Sequence, residues 1–210
     1  MDADLEKDPT SDAPDDGADD DFEASRQLGY HGKSRPIREI LLELAGATDP
    51  DLEPGHYGEG EVVERLEKRV ATLVGKEAAV FMPSGTMAQQ IALRIWCDRV
   101  GTNHVAFHPL CHLEIHEQRG YQLLHGLRAT LLGTTERMFT LNDLEDLVEP
   151  VGAILFELPQ REIGGQLPAW DDLVEMVNWA RERGMAAHMD GARLWETKPF
   201  YAREYAAIAE

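Results

Sequence analysis

Asp190 and Arg193 stand three residues apart just past an apolar run, Met185-Ala186-Ala187-His188-Met189, with Gly191 between them. Ala186 to Met189 read as a buried strand, and a glycine directly after it lets the backbone turn at the strand end, where α/β folds place their ligands. A carboxylate delivered there faces whatever binds. It can keep the ring nitrogen of a flat heteroaromatic cofactor protonated, because an opposite charge within ~4–6 Å favours the charged form by ~1.4–4 kcal/mol. The plainer alternative is an Asp190 that accepts backbone N–H groups in a turn and pairs with Arg193.

A second constellation follows the apolar run Ala78-Ala79-Val80-Phe81-Met82. Pro83-Ser84-Gly85-Thr86 comes next, and then Met87, Ile91 and Ile95 recur every fourth position. The pattern predicts a strand, a tight turn and a helix. Small residues at a helix start let free N–H groups and hydroxyls approach a phosphate, with the helix dipole favouring its charge. Ser84, Gly85 and Thr86 are therefore a candidate phosphate cup, the alternative being an ordinary N-cap.

Together these segments resemble the threonine aldolase and aromatic amino acid β-eliminating lyase family of pyridoxal-phosphate enzymes, of the aspartate-aminotransferase fold type I. The match runs in order from Tyr57-Gly58-Glu59 and Val62-Val63-Glu64-Arg65-Leu66-Glu67 through Gly75-Lys76-Glu77-Ala78-Ala79 and Pro83-Ser84-Gly85-Thr86-Met87-Ala88. It continues with His112, Glu157, Gly164-Gly165 and Asp190-Gly191-Ala192-Arg193-Leu194-Trp195. The resemblance implies a three-layer α/β/α large domain with a mainly parallel sheet, incomplete at its C-terminal side. By it, Gly85 and Thr86 would bind the phosphate of pyridoxal 5'-phosphate, and His112 would lie over the pyridine ring. Asp190 would pair with the ring nitrogen, and Arg193 would sit near the ring oxygen and the substrate carboxylate. An imidazole can stack on such a ring and still move a proton, and a guanidinium forks onto a carboxylate. The implied reaction is aldol cleavage of a threonine-like β-hydroxy amino acid to glycine and an aldehyde. Elimination at Cβ is the alternative, and a homodimer or homotetramer is the implied full-length assembly.

The family holds its cofactor through a lysine on a strand well beyond the Asp-Gly-Ala-Arg turn. After Arg193 this sequence has only Lys198, followed at once by Pro199, and Lys7, Lys33, Lys68 and Lys76 have no desolvated setting that would make a nucleophile. The expectation is a chain truncated before the Schiff-base lysine, with a non-catalytic remnant or interaction module as a further alternative. Three departures bear on the substrate. Ser25 to Gly32 does not reproduce the family's Arg-Ser-Asp-Thr stretch, Gln160 stands where a histidine is common after Glu157, and Glu114 stands where an aromatic is frequent.

The elements that must position these groups alternate. A helix is expected over Val62–Val74, with Val62, Val63, Leu66, Val70 and Leu73 inward, Glu61/Arg65 and Glu64/Lys68 paired outside, and Gly75 as its stop. Strands are expected at Ala78–Met82, His104–Phe107, Arg128–Leu132, Gly152–Glu157 and Ala186–Met189, and a helix over Trp170–Arg183 stopping at Gly184. Strands alternating with helices imply a parallel sheet covered on both faces, here with one edge left open. Residues 1–23 carry eleven acids against one lysine, and the whole chain has a net charge of −19. They read as a disordered acidic tail, followed by an N-terminal arm over 24–56 and the cofactor-binding domain over 57–210.

The acidic balance argues against nucleic acid or an anionic membrane as partner, and no apolar run reaches the ~18–20 residues of a membrane span. Cytoplasm is the expected compartment, and Cys97 and Cys111 give no disulfide framework. His104, His108, His112 and His116 recur every four residues, which on one helix could hold zinc. Pro109 breaks that helix, so only His112 and His116 can share a face, and no metal is expected.

Overall fold

A computed structural model describes residues 35–56 and 58–210, in two compact units divided between Glu53 and Pro54. The acidic tail, the first part of the expected arm and Tyr57 lie outside the described residues. The first unit contributes one helix, α1 (Ile37–Ala47), which buries no residue.

The second unit carries α2 (Glu61–Leu73), α3 (Gly85–Val100), β1 (His104–Phe107), α4 (His112–Ile115), α5 (Gly120–His125), β2 (Arg128–Leu131), α6 (Leu141–Glu145), β3 (Ala153–Glu157), α7 (Trp170–Glu182), β4 (Ala186–Asp190), α8 (Lys198–Tyr201) and α9 (Tyr205–Ala209). The four strands form one parallel sheet in the order β2-β1-β3-β4. The inner strands β1 and β3 are buried along their whole length, as the apolar stretches Val105–Phe107 and Ala153–Phe156 require in a sheet covered on both faces.

Side chains alternate across the sheet. On one face Val105, Phe107, Ala153 and Leu155 pack with Leu93 and Cys97 of α3, Leu113 of α4 and Tyr121 of α5. On the other, Ala106, Ile154 and Phe156 pack with Leu173, Met176 and Ala180 of α7 and with Leu144 of α6. The three-layer α/β/α arrangement follows from these two faces.

Two expectations fail for one reason. Ala78–Met82 forms no strand, and Val80 and Phe81 are 74% and 53% exposed. A strand exists by its ladder, and no neighbour among the described residues offers one. The Phe81 N–H is instead taken by the Glu67 carboxylate at 2.7 Å. Likewise the apolar stripe of α2 is not inward: Val62, Leu66 and Leu73 are exposed and only Ala71 is buried. An open groove of about 900 Å³ lies beside β4, lined by Val70, Val74, Trp96, His188, Met189 and Ile208. Its walls include residues from both faces of β4, so it follows that strand's open edge. The Glu61–Arg65 pair forms at 3.3 Å, while Glu64 and Lys68 make no pair among the described residues. Gly75 does stop α2, with φ +65 and its N–H on the Thr72 carbonyl.

Candidate active site

The carboxyl ends of β1, β3 and β4 meet the start of α3 through a chain of direct contacts. Ser84 caps α3, its hydroxyl accepting the Met87 N–H at 3.2 Å. The N–H groups of Gly85 and Thr86 find no acceptor among the described residues, and a Cβ built on Gly85 meets nothing within 4 Å. The first turn of a four-turn helix is thus open, with unpaired donors and the positive end of the dipole facing out.

One turn later, Gln89 ties α3 to β4 by a 2.7 Å hydrogen bond to the His188 ring. Burial pushes His188 below the ordinary imidazole range, opposed by the charge of Asp190. Asp190 lies two residues on and therefore on the same face of the strand. It is 7% exposed, and Oδ1 accepts the Ala192 N–H at 3.0 Å, the turn contact expected of an Asp before glycine. The ion pair with Arg193 that belonged to the plainer alternative does not form among the described residues. The charge of half-buried Arg193 instead helps lower Glu162, which a bond from His116 lowers more.

Register places Glu157 of β3 directly beside Asp190. Glu157 is 5% exposed and accepts the His112 N–H at 3.1 Å, the Gln160 amide at 3.2 Å and the Arg161 N–H at 3.4 Å. Burial raises its carboxyl above the usual range, the Asp190 charge adding to this while the His112 N–H pulls it back. Gln160, fully buried, also donates to the Leu110 carbonyl at 3.0 Å, so it fastens the loop leading into α4 to the end of β3. His112 opens α4. Its Nδ1 lies 2.9 Å from Glu117 Oε1, and its ring is 5.0 Å from that of His116.

Ser84, Gly85, Thr86, His112 and Asp190 therefore belong to one connected set, and Arg193 lies just past the strand end. Sequence reasoning missed Gln89, Gln90 and Glu117, and gave Glu157 and Gln160 no structural part. The legible signal was a polar residue ending or following an apolar run, at Glu157 and Gln160. Glu117 and Gln90 carried none, since each sits at an unremarkable helical or turn position.

The other candidates lie elsewhere. His104 bonds Thr130 at 2.8 Å, and His108 reaches the Arg137 carbonyl at 3.0 Å, so neither joins His112 and His116. Lys198 is paired with Glu204 at 2.7 Å. Cys97 and Cys111 are both free and buried, and desolvation pushes the Cys111 thiol far up. Among the described residues no helix is long and apolar enough to cross a membrane.

A parallel sheet covered by helices on both faces, with polar side chains gathered at its carboxyl ends, defines an α/β domain of the class that places ligands at those ends. The β-eliminating lyase family model matches residues 33–209, and the chain belongs to that family. The fold is shared with a Listeria monocytogenes protein described as a "putative L-allo-threonine aldolase": TM-score 0.81, 49% identity, 85% of this chain and 50% of that one. The low specificity L-threonine aldolase of Saccharomyces cerevisiae is 30% identical over 72% of this chain and 41% of its own length. Aldolase vrtJ of Penicillium aethiopicum is 31% identical over 78% and 42% respectively. This chain spans about half the length of these relatives.

Proposed function

We propose that these residues form the cofactor-binding part of a pyridoxal-phosphate lyase that cleaves a threonine-like β-hydroxy amino acid to glycine and an aldehyde. The observation that carries the cofactor reading is the pairing of an open helix start with a buried carboxylate held by a single backbone donor. The residues present fit the group. Gly85 and Thr86 would hold the phosphate with the Ser84 turn, Asp190 would hold the ring nitrogen, His112 would cover the ring, and Arg193 would meet the ring oxygen or the substrate carboxylate. When bound, the cofactor supplies an electron sink for breaking a bond at the substrate α-carbon.

The chain's own groups do the rest. Asp190, poorly hydrated and beside another carboxylate, gains by taking a cationic N–H partner. Glu157 accepts three donors around the start of α4 and so fixes the main chain that carries His112. His112 presents a ring able to hold or move a proton at a nitrogen, with Nδ1 committed to Glu117. Support for the substrate class comes from relatives named as threonine aldolases. The free, buried cysteines fit a cytoplasmic setting, and a homodimer or homotetramer is the proposed full-length assembly.

The test is a titration of the purified protein with pyridoxal phosphate and with pyridoxal. The proposal expects saturable binding of the first, weakened by inorganic phosphate, and much weaker binding of the second. Product analysis of the turnover-competent protein then separates the two reactions. Glycine and an aldehyde mark aldol cleavage, whereas a keto acid and ammonia mark β-elimination and would overturn the substrate assignment.

A further inference from the structure

Outside the groups assigned above lies a buried carboxylate with two partners and no exposed face. The Glu117 side chain is 3% exposed. Oε1 meets His112 Nδ1 at 2.9 Å, and Oε2 accepts the Gln90 amide at 3.0 Å. A charged acceptor at this depth requires donors on both oxygens. The two contacts fit a carboxylate that accepts on both oxygens, with the proton of the His112–Glu117 bond carried by Nδ1.

Gln90 is itself buried on α3, the helix whose start carries Gly85 and Thr86. Its amide lies against the main chain of Gly120, where a Cβ would come within 2.7 Å of Gln90 Nε2 and 2.9 Å of Oε1. Gly120 has ordinary backbone angles, so the requirement for glycine there is one of space. The glycine admits the amide, the amide braces the carboxylate, and the carboxylate holds the ring. One helix thus supplies both the open N–H groups and the brace for the imidazole.

We infer that Glu117, braced by Gln90 against Gly120, is a positioning residue that fixes His112 as the Nδ1–H tautomer and leaves its Nε2 lone pair as the available base. Nε2 has no hydrogen-bond partner among the described residues, and the ring is partly exposed. The inference rests on the proposed role of His112 for its functional meaning, though not for the tautomer itself. Glu117 touches no reacting atom. Its part is to hold both the plane of the ring and the place of its proton, as outer partners do for functional imidazoles elsewhere.

The test reads the tautomer directly. Imidazole nitrogen shifts of His112 are recorded on the purified, ¹⁵N-labelled protein at alkaline pH, with His112→Asn used for assignment. The parent should show one neutral form, protonated at Nδ1. Glu117→Leu, which removes the acceptor while keeping volume, should turn that single form into a mixture. An Nε2–H parent, or an unchanged ring in folded Glu117→Leu protein, overturns the inference. If Glu117→Leu does not fold, Gly120→Ala displaces the brace without touching the pair. A mixture there supports the inference, and an unchanged ring overturns it. Pyridoxal-phosphate titration of the parent separates the two readings. A Glu117 effect in a protein that does not bind the cofactor would remove the cofactor assignment alone, and binding without a Glu117 effect would remove the positioning role alone.

Discussion

Replacing Asp190 with Asn should make the cofactor-free protein more stable and its cofactor binding worse. Asp190 and Glu157 are register partners on adjacent parallel strands, 7% and 5% exposed. Adjacent strands lie ~4.8 Å apart. Two unit charges at ~5 Å repel by ~3 kcal/mol at an effective permittivity of ~20. Two effects reduce what Asp190→Asn recovers. The Ala192 N–H loses a charged acceptor, worth about 1 kcal/mol over a neutral one. Glu157, pushed up by burial and by Asp190, also relieves part of the repulsion by holding a proton longer.

The expected net gain is about 1–2 kcal/mol at neutral pH, or a melting temperature higher by roughly 2–8 °C for a chain of this size. The pH dependence carries a sign. Glu157 has a folded value above its unfolded one, so the stability it contributes is complete below the usual carboxylate range. That stability is lost as pH rises through the raised folded value. Asp190→Asn should flatten this loss. The same substitution should weaken pyridoxal-phosphate binding about 10- to 1,000-fold, from the ~1.4–4 kcal/mol an ion pair gives a ring nitrogen. Melting curves of the cofactor-free proteins and a cofactor titration decide it. A lower melting temperature would make Asp190 a structural turn cap, and unchanged cofactor affinity would refute its pairing role.

Gly85→Asp should keep or slightly raise the melting temperature, since the site is open and an acid in the first helical turn adds about 0.3–1 kcal/mol, yet pyridoxal-phosphate binding should be lost. Retained affinity in a titration would place the phosphate elsewhere. Asp143→Asn should destabilise by about 1–2 kcal/mol in urea melts, because Arg137 forks onto Asp143 at 2.7 and 2.8 Å and Asp143 accepts the Thr140 N–H that opens α6. Arg137 holds the Asp143 carboxyl well below the usual range, so this contribution is present above the ordinary carboxylate value and lost as pH falls through the depressed one; an equal loss at all pH would refute the ion pair. Gly152→Ala places a Cβ 2.8 Å from Cys97 Sγ and 2.9 Å from its Cα, and overpacking should cost about 1–3 kcal/mol, so an unchanged melt would show that α3 can shift away from β3.

Four of the five expected strands are present at or near their expected bounds, the inner two because apolar runs between turn residues identify strands buried on both faces. The strand at Ala78–Met82 was equally legible and did not form. Its pattern states what the segment can bury but not whether a neighbour is there to complete the ladder. The stripe of α2 failed in the same way, since periodicity names an apolar side without naming its cover.

The sequence by itself determined the chemistry at the strand ends: an acid before a glycine after a buried run, and a small-residue helix start after an extended segment. These are local facts, fixed by residue type and spacing over a few positions. Only the tertiary structure decided which groups share a boundary. Strand register set Glu157 beside Asp190, Gln89 joined α3 to His188, and Glu117 met both His112 and Gln90 across gaps of 5 and 27 residues. Register and helix docking are settled by the packing of the whole sheet, so no short stretch of sequence contains them.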